Sequence, residues 1–236
     1  MNDALPVFAV RAGLGAVLSL ALGCGSSSSS GSTSGDGGTA PPPLPSTLAV
    51  TADWAHHTVS LLDFDALVAK DPVAKVRVGE LDLSHYGNGP YTVKLTPDGK
   101  TALVALSTGF FTVPGAGLLV NASTLPSGPS RLLFVDLASR TVTADLDTGD
   151  GATGIAITAD GTRAFVSHAS STDVTVLDVK AKKILSQVDV GGTYAEEVTL
   201  DDSSTVGIVT ALDPATSQKN VRTFAVADMA STLSQP

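Results

Sequence analysis

The sequence predicts an all-β chain: short antiparallel sheets, about four of them, filling residues 47–236. Short runs rich in Val, Ile and Thr recur with small or polar residues between them, as half-buried strands do. Asp-Gly turns separate such runs, because Gly accepts φ > 0 at little cost. The same order of runs and turns also returns: Leu133–Leu137 matches Thr175–Val179 at a spacing of about 42 residues.

Composition agrees and excludes some functions. The 236 residues are 43% apolar but only 5% aromatic, and 23 Gly with 13 Pro favour many turns over long helices. A net charge of −9 argues against nucleic acid, whose phosphates need a basic face. One cysteine rules out an internal disulfide framework and any multi-cysteine metal site.

Residues 1–23 read as an export signal. Arg11 precedes an uncharged run, Ala12–Gly23, whose twelve residues at about 1.5 Å each fall short of a bilayer core of roughly 30 Å. Residues 24–46 read as a tether. Gly and Ser fill 12 of the 15 positions in Gly25–Thr39, giving a flexible coil that reaches roughly 20 Å. Pro41-Pro42-Pro43 and Pro45 then stiffen its end.

Four units follow, at about 47–89, 90–151, 152–192 and 193–236. The first has runs at Thr47–Thr51, Thr58–Phe64 and Lys75–Val78 and lacks an opening strand. The second places Tyr91–Leu95 and Ala102–Leu106 around Asp98-Gly99, then inserts a Gly- and Pro-rich loop over Phe110–Arg131. The third is complete, with Ile155–Ile157, Arg163–His168, Asp173–Asp178 and Ile184–Val190. The fourth runs Glu197–Leu200 into Asp201-Asp202-Ser203-Ser204 in place of Asp-Gly and has no evident fourth strand after Val221–Val226. Four short antiparallel strands per forty-odd residues make one blade of a β-propeller, and the count here is fourteen strands.

Two resemblances follow from these residues. Leu20-Ala21-Leu22-Gly23-Cys24 resembles the lipobox of bacterial lipoproteins, which implies that Cys24 becomes the N-terminus and carries lipid. Thr158-Ala159-Asp160-Gly161-Thr162, with Val174-Thr175-Val176-Leu177-Asp178 and Val188-Asp189-Val190-Gly191-Gly192, resembles a repeat of the YVTN family of β-propellers. That family implies seven blades, or roughly 290 residues at about 42 each. Residues 47–236 are too few, so an open or truncated arc is expected, with exposed blade edges that favour association.

No catalytic constellation is legible. His56-His57, beside Asp53, reads as a solvated turn, since neighbouring strand residues face opposite ways. His85, in the Ser84–Gly89 loop, and His168, ending a second strand, are the candidate ligand-facing residues, because junction loops and strand ends approach a propeller's channel. Asp98 and Asp160 are turn residues, and Asp136 and Asp178 cap turns. No metal, cofactor or G-x-S-x-G nucleophile is implied.

The expected function is a non-catalytic binding or scaffold module of the bacterial envelope, facing the periplasm or held at the outer membrane through acylated Cys24. Its expected partners are membrane lipid, an envelope protein, or a second copy through open blade edges. A lactonase-like or quinoprotein-like propeller enzyme with chemistry near His85 and His168, and a truncated nonfunctional fragment, are the alternatives.

Overall fold

The computed structural model describes residues 8–9, 41–107, 129–169, 171–191, 194–213, 218–227 and 230–232. The first sheet holds β1 (Phe8–Ala9), β2 (Leu48–Asp53), β3 (Thr58–Asp63) and β4 (Arg77–Asp82). The second holds β5 (Pro90–Leu95), β6 (Thr101–Leu106), β7 (Ser130–Asp136) and β8 (Thr141–Gly149). The third holds β9 (Ala152–Ile157), β10 (Arg163–His168), β11 (Asp173–Asp178) and β12 (Lys183–Asp189). The fourth holds β13 (Tyr194–Leu200), β14 (Val206–Asp213), β15 (Gln218–Ala225) and β16 (Ala230–Thr232). Within each sheet the strands lie in chain order, as in a propeller blade.

Among the described residues sixteen strands therefore stand where the sequence suggests fourteen. The extra strand of the last blade, β16, is only three residues long and carries little periodicity. The extra strand of the first blade is β1, from within the segment read as an export signal, and its pairing with β2 is parallel. The other ladders of the described strands are antiparallel. Blade 1 also differs on its outside, where helices α1 (Phe64–Val68) and α2 (Val73–Val76) separate β3 from β4.

Burial explains the stacking. Strand residues alternate between the two faces of a sheet, and here both faces of a middle blade are covered. In blade 2, Val104, Leu133 and Val135 pack toward blade 1, whereas Leu103, Leu132 and Phe134 pack toward blade 3. In blade 3, Ala164, Val166 and Leu177 face blade 2, and Phe165, Val174 and Val176 face blade 4. Each seam is thus its own apolar cluster, so stability resides in nearest-neighbour interfaces. The four blades form an open, propeller-like arc.

Aspartates fix the turns at fixed places in the repeat. Asp63, Asp136 and Asp178 end the third strands and accept hydrogen bonds from the N–H groups of Ala66, Ser139 and Ala181 at 3.0, 2.7 and 2.7 Å. Asp82 and Asp189 end the fourth strands and Asp147 lies two residues from the end of its own; they accept from the N–H groups of Ser84, Gly191 and Gly149 at 2.8, 2.8 and 3.0 Å. Much of the acidity read as a charge property is therefore turn punctuation.

The chain enters the fold before Thr47. Leu44 packs against the blade 1–blade 2 cluster, and Arg140 Nη2 donates to the Pro42 carbonyl at 3.2 Å. Arg140 reaches there across Gly79, where a β-carbon would lie 3.1 Å from its Cζ. Small size at position 79 admits the guanidinium.

Candidate functional site

The arc has two rims. In blades 2 to 4 one carries the turns between first and second strands and between third and fourth strands; the other carries the remaining loops and the start of the inner strands β5, β9 and β13.

On the first rim, the turns between first and second strands of blades 2, 3 and 4 repeat one hydrogen-bond set. Thr96 Oγ1 donates to Asp98 at 2.6 Å and Thr158 Oγ1 to Asp160 at 2.6 Å. The carboxylates also accept from the N–H groups of Lys100 and Thr162. Hydrogen bonds to the charged form favour it, and the Thr96 and Thr158 hydroxyls lead in holding these two acids below the ordinary carboxylate range. In blade 4 the roles are exchanged: Ser203 Oγ donates to Asp201, held at about 2 chiefly by that bond. Ser204, with φ 55°, takes the place of the left-handed glycines Gly99 and Gly161.

Between these turns lie notches. One, of about 310 Å³, is lined by Pro97, Asp98, Asp160, Gly161, Lys180 and Lys182. The next, of about 340 Å³, is lined by Thr158, Ala159, Arg163, Ser203, Ser204 and Val226. Neighbouring turns meet directly across them. A β-carbon on Gly161 would sit 3.3 Å from Pro97 Cδ, and Ser204 Oγ accepts from Ala159 N at 2.9 Å. Arg163 Nη1 ties blade 3 to the Val226 carbonyl of blade 4 at 3.0 Å.

The second rim holds His85 and His168. His85 is exposed, and its ring lies 4.0 Å from that of Tyr86. His168 is only 1% exposed, with Nε2 2.9 Å from Thr175 Oγ1 within its own blade. Burial pushes its pKa down to about 4, against the opposing effects of the Asp150 backbone and charge. Blade 3 therefore holds His168 inside the sheet stack, beside Thr175 of the next strand. The topology brings both histidines to one rim, but among the described residues no group of three His, Cys, Asp or Glu side chains is placed to hold a metal.

His56 and His57 separate as the turn geometry requires. His56 Nδ1 lies 2.7 Å from Asp53 Oδ2 on the surface, while His57 adopts φ 57° and is partly buried. Cys24 and most of the Phe110–Arg131 insertion lie outside the described residues. The two ends of that insertion are pinned. Trp54 Nε1 donates to the Ser107 carbonyl at 3.2 Å, and Asn88 Nδ2 donates to the Pro129 carbonyl at 3.4 Å. Trp54 passes so near Gly89 that a β-carbon there would collide with its carbonyl oxygen.

A feature of this rim that the sequence reading missed is a repeated β-bulge. The ladders skip Tyr91 in blade 2 and Thr153 in blade 3, the second residue of each inner strand, and Glu196 in blade 4, the third. A bulge bends its strand and re-aims a side chain. Thr153 Oγ1 uses its position to reach the Ala195 carbonyl of the next blade at 3.5 Å. Gly87-Asn88-Gly89 and Gly149-Asp150-Gly151, just ahead of two inner strands, were the available signal.

No family model matches this chain, and no curated protein does. Among solved structures, one titled Kuenenia stuttgartiensis hydrazine synthase is similar, with a TM-score of 0.60 and 15% identity. The match covers 87% of this chain and 52% of that one, so this chain spans about half its length. The likeness is one of fold.

Proposed function

We propose that the chain is a lipid-anchored module of the bacterial envelope, of YVTN-like repeat type, that binds or scaffolds through its blade surfaces. The observation that carries this reading is the employment of its conspicuous polar residues. Asp63, Asp82, Asp98, Asp136, Asp147, Asp160, Asp178, Asp189 and Asp201 all serve their own turns, and His168 is packed inside the stack. Among the described residues the arc offers to the outside sheet edges, shallow notches and an outward blade face. The lipobox-like residues before Cys24 and the Gly/Ser tether support membrane attachment, with Cys24 carrying the lipid. Partners are membrane lipid and an envelope protein or second copy meeting an open edge.

Mass spectrometry of the membrane fraction tests the anchor. A chain beginning at a diacylated Cys24 is expected, and recovery of the intact Met1 form in the cytosol overturns the address. Sedimentation of the detergent-solubilised chain over a concentration series then tests the scaffold role through self-association.

A further inference from the structure

We propose that the α1–α2 insertion of blade 1 is a membrane-docking surface, which lays Leu67, Val68 and Val73 on the lipid layer that holds the anchor. The inference rests on the reading of Cys24 as the lipid-bearing residue and adds to it the face that the blades turn to the bilayer.

The turn itself does not need the insertion. Blades 2 and 3 pass from third to fourth strand through residues 137–140 and 179–182, whereas blade 1 takes residues 64–76. Asp63 already accepts the turn's bond, from Ala66 N, as Asp136 and Asp178 do from theirs. The additional residues close into a hairpin of two short helices. Asp71 N donates to the Ala66 carbonyl at 3.0 Å, and Lys70 takes φ 58° beside it. Val76 is the one residue of the two helices that is buried. Leu67, Val68 and Val73 are 45%, 65% and 55% exposed. They are three of the seven large hydrophobics exposed among the described residues, gathered on one small hairpin. Apolar side chains clustered in this way mark an interaction site.

The occupant follows from where the tether arrives. The Thr47 carbonyl accepts from Phe64 N at 3.0 Å, and Ser46 Oγ donates to Asp65 Oδ2 at 3.5 Å. The chain coming from Cys24 therefore meets the blades at the start of α1. A Gly/Ser coil reaching roughly 20 Å keeps its lipid surface close to this hairpin. A contact made on a short tether is met at an effective concentration of about millimolar, so a few side chains suffice. The two exposed runs, Leu67-Val68-Ala69-Lys70 and Pro72-Val73-Ala74-Lys75, each close on a lysine. That arrangement suits a bilayer interface, where apolar groups enter and the ammonium stays among the headgroups. A protein partner or a second copy would be served by a patch anywhere on the arc; a bilayer held by this tether would not.

Cys24 is the chain's only cysteine, so the purified full chain is coupled there to a maleimide-bearing lipid. The vesicles are phosphatidylcholine and phosphatidylglycerol with brominated acyl chains, which quench an indole that enters them. Val68→Trp puts an indole on the patch, and Gln187→Trp puts one on exposed β12 of blade 3. Both variants keep Trp54 and residues 1–23, so the difference from the unsubstituted chain reads the new indole alone. An interfacial helix sinks its apolar face about 5–10 Å, so emission from position 68 should fall about twofold against unbrominated vesicles, with position 187 unchanged. Leu67→Ser with Val73→Ser in the Val68→Trp chain should abolish the fall. An unquenched indole at 68, which a patch serving a protein partner would give, overturns the proposal. So does equal quenching at both positions, or quenching that survives the two serines. Because the coupling is chemical, the result is read separately from whether Cys24 is acylated in the cell.

Discussion

Asp201 and Ser203 form the same turn bond as Thr158 and Asp160 with donor and acceptor exchanged. In blade 3 the hydroxyl comes first and the carboxylate two residues later; in blade 4 the carboxylate comes first. The geometry is kept because one hydroxyl and one carboxylate suffice whichever side each occupies. Asp201→Thr and Ser203→Asp should each lower the melting temperature, since each single change leaves two like groups facing. The double variant should recover most of the loss. A double-mutant cycle in thermal unfolding checks this, and strict additivity would refute the pairing.

Gly154 tests the spacing of the inner strands. A β-carbon there would meet Val198 N at 2.9 Å and Glu197 Cα at 3.0 Å across the seam, and Ser167 Oγ at 2.6 Å within the blade. Backbone atoms of the next blade cannot move aside as a flexible side chain can. Gly154→Ala should destabilise by about 1–3 kcal/mol, as overpacking does. Urea denaturation reads it, and an unchanged midpoint would show the seam is looser than described.

His168 should make stability depend on pH. The unfolded ring titrates near 6.5 and the folded one near 4. Between these values the unfolded state binds the extra proton, so stability falls as pH drops from about 6.5 to about 4, by on the order of 3 kcal/mol in all. His168→Gln should flatten that part of the profile while leaving any steeper acid limb from the turn aspartates. Those acids act lower: with folded pKa values below their unfolded ones, their contribution is full above the unfolded value and lost as pH falls through the folded value.

Blade 4 should open before blade 3. Val221 occupies the register position of Val174, opposite Thr210 where Val174 is opposite Ser167. Val174 is fully buried, whereas Val221 is 47% exposed and Val206 39%. Among the described residues nothing covers that face of blade 4, so blade 4 has one blade interface where blade 3 has two. Amide hydrogens of residues 194–232 should exchange faster than those of 152–192. Equal protection would mean that the outer face of blade 4 is covered in solution.

Gly79 should control how the tether meets the blades. Gly79→Val would displace the Arg140 guanidinium and release its bond to the Pro42 carbonyl. Faster limited proteolysis around residues 41–47, with little change in global unfolding, is the expected result.

By itself the sequence determined the blade grammar. Arg163–His168 and Asp173–Asp178 are read with the bounds they have in the structure, because alternating β-branched residues and left-handed turn residues are local signals. Asp136 and Asp178 were legible as turn formers for the same reason. Tertiary structure alone decided the rest. Whether His168 faces a channel or a neighbouring blade depends on which sheet stacks on which. The bulges at Tyr91, Thr153 and Glu196 arise from how inner strands must bend to lie side by side. The inner strand of blade 1 comes from Phe8–Ala9, some forty residues before β2 in the chain, and no periodicity joins the two. Local chemistry sets strands and turns; packing between distant segments sets which of their faces and edges are left to meet another molecule.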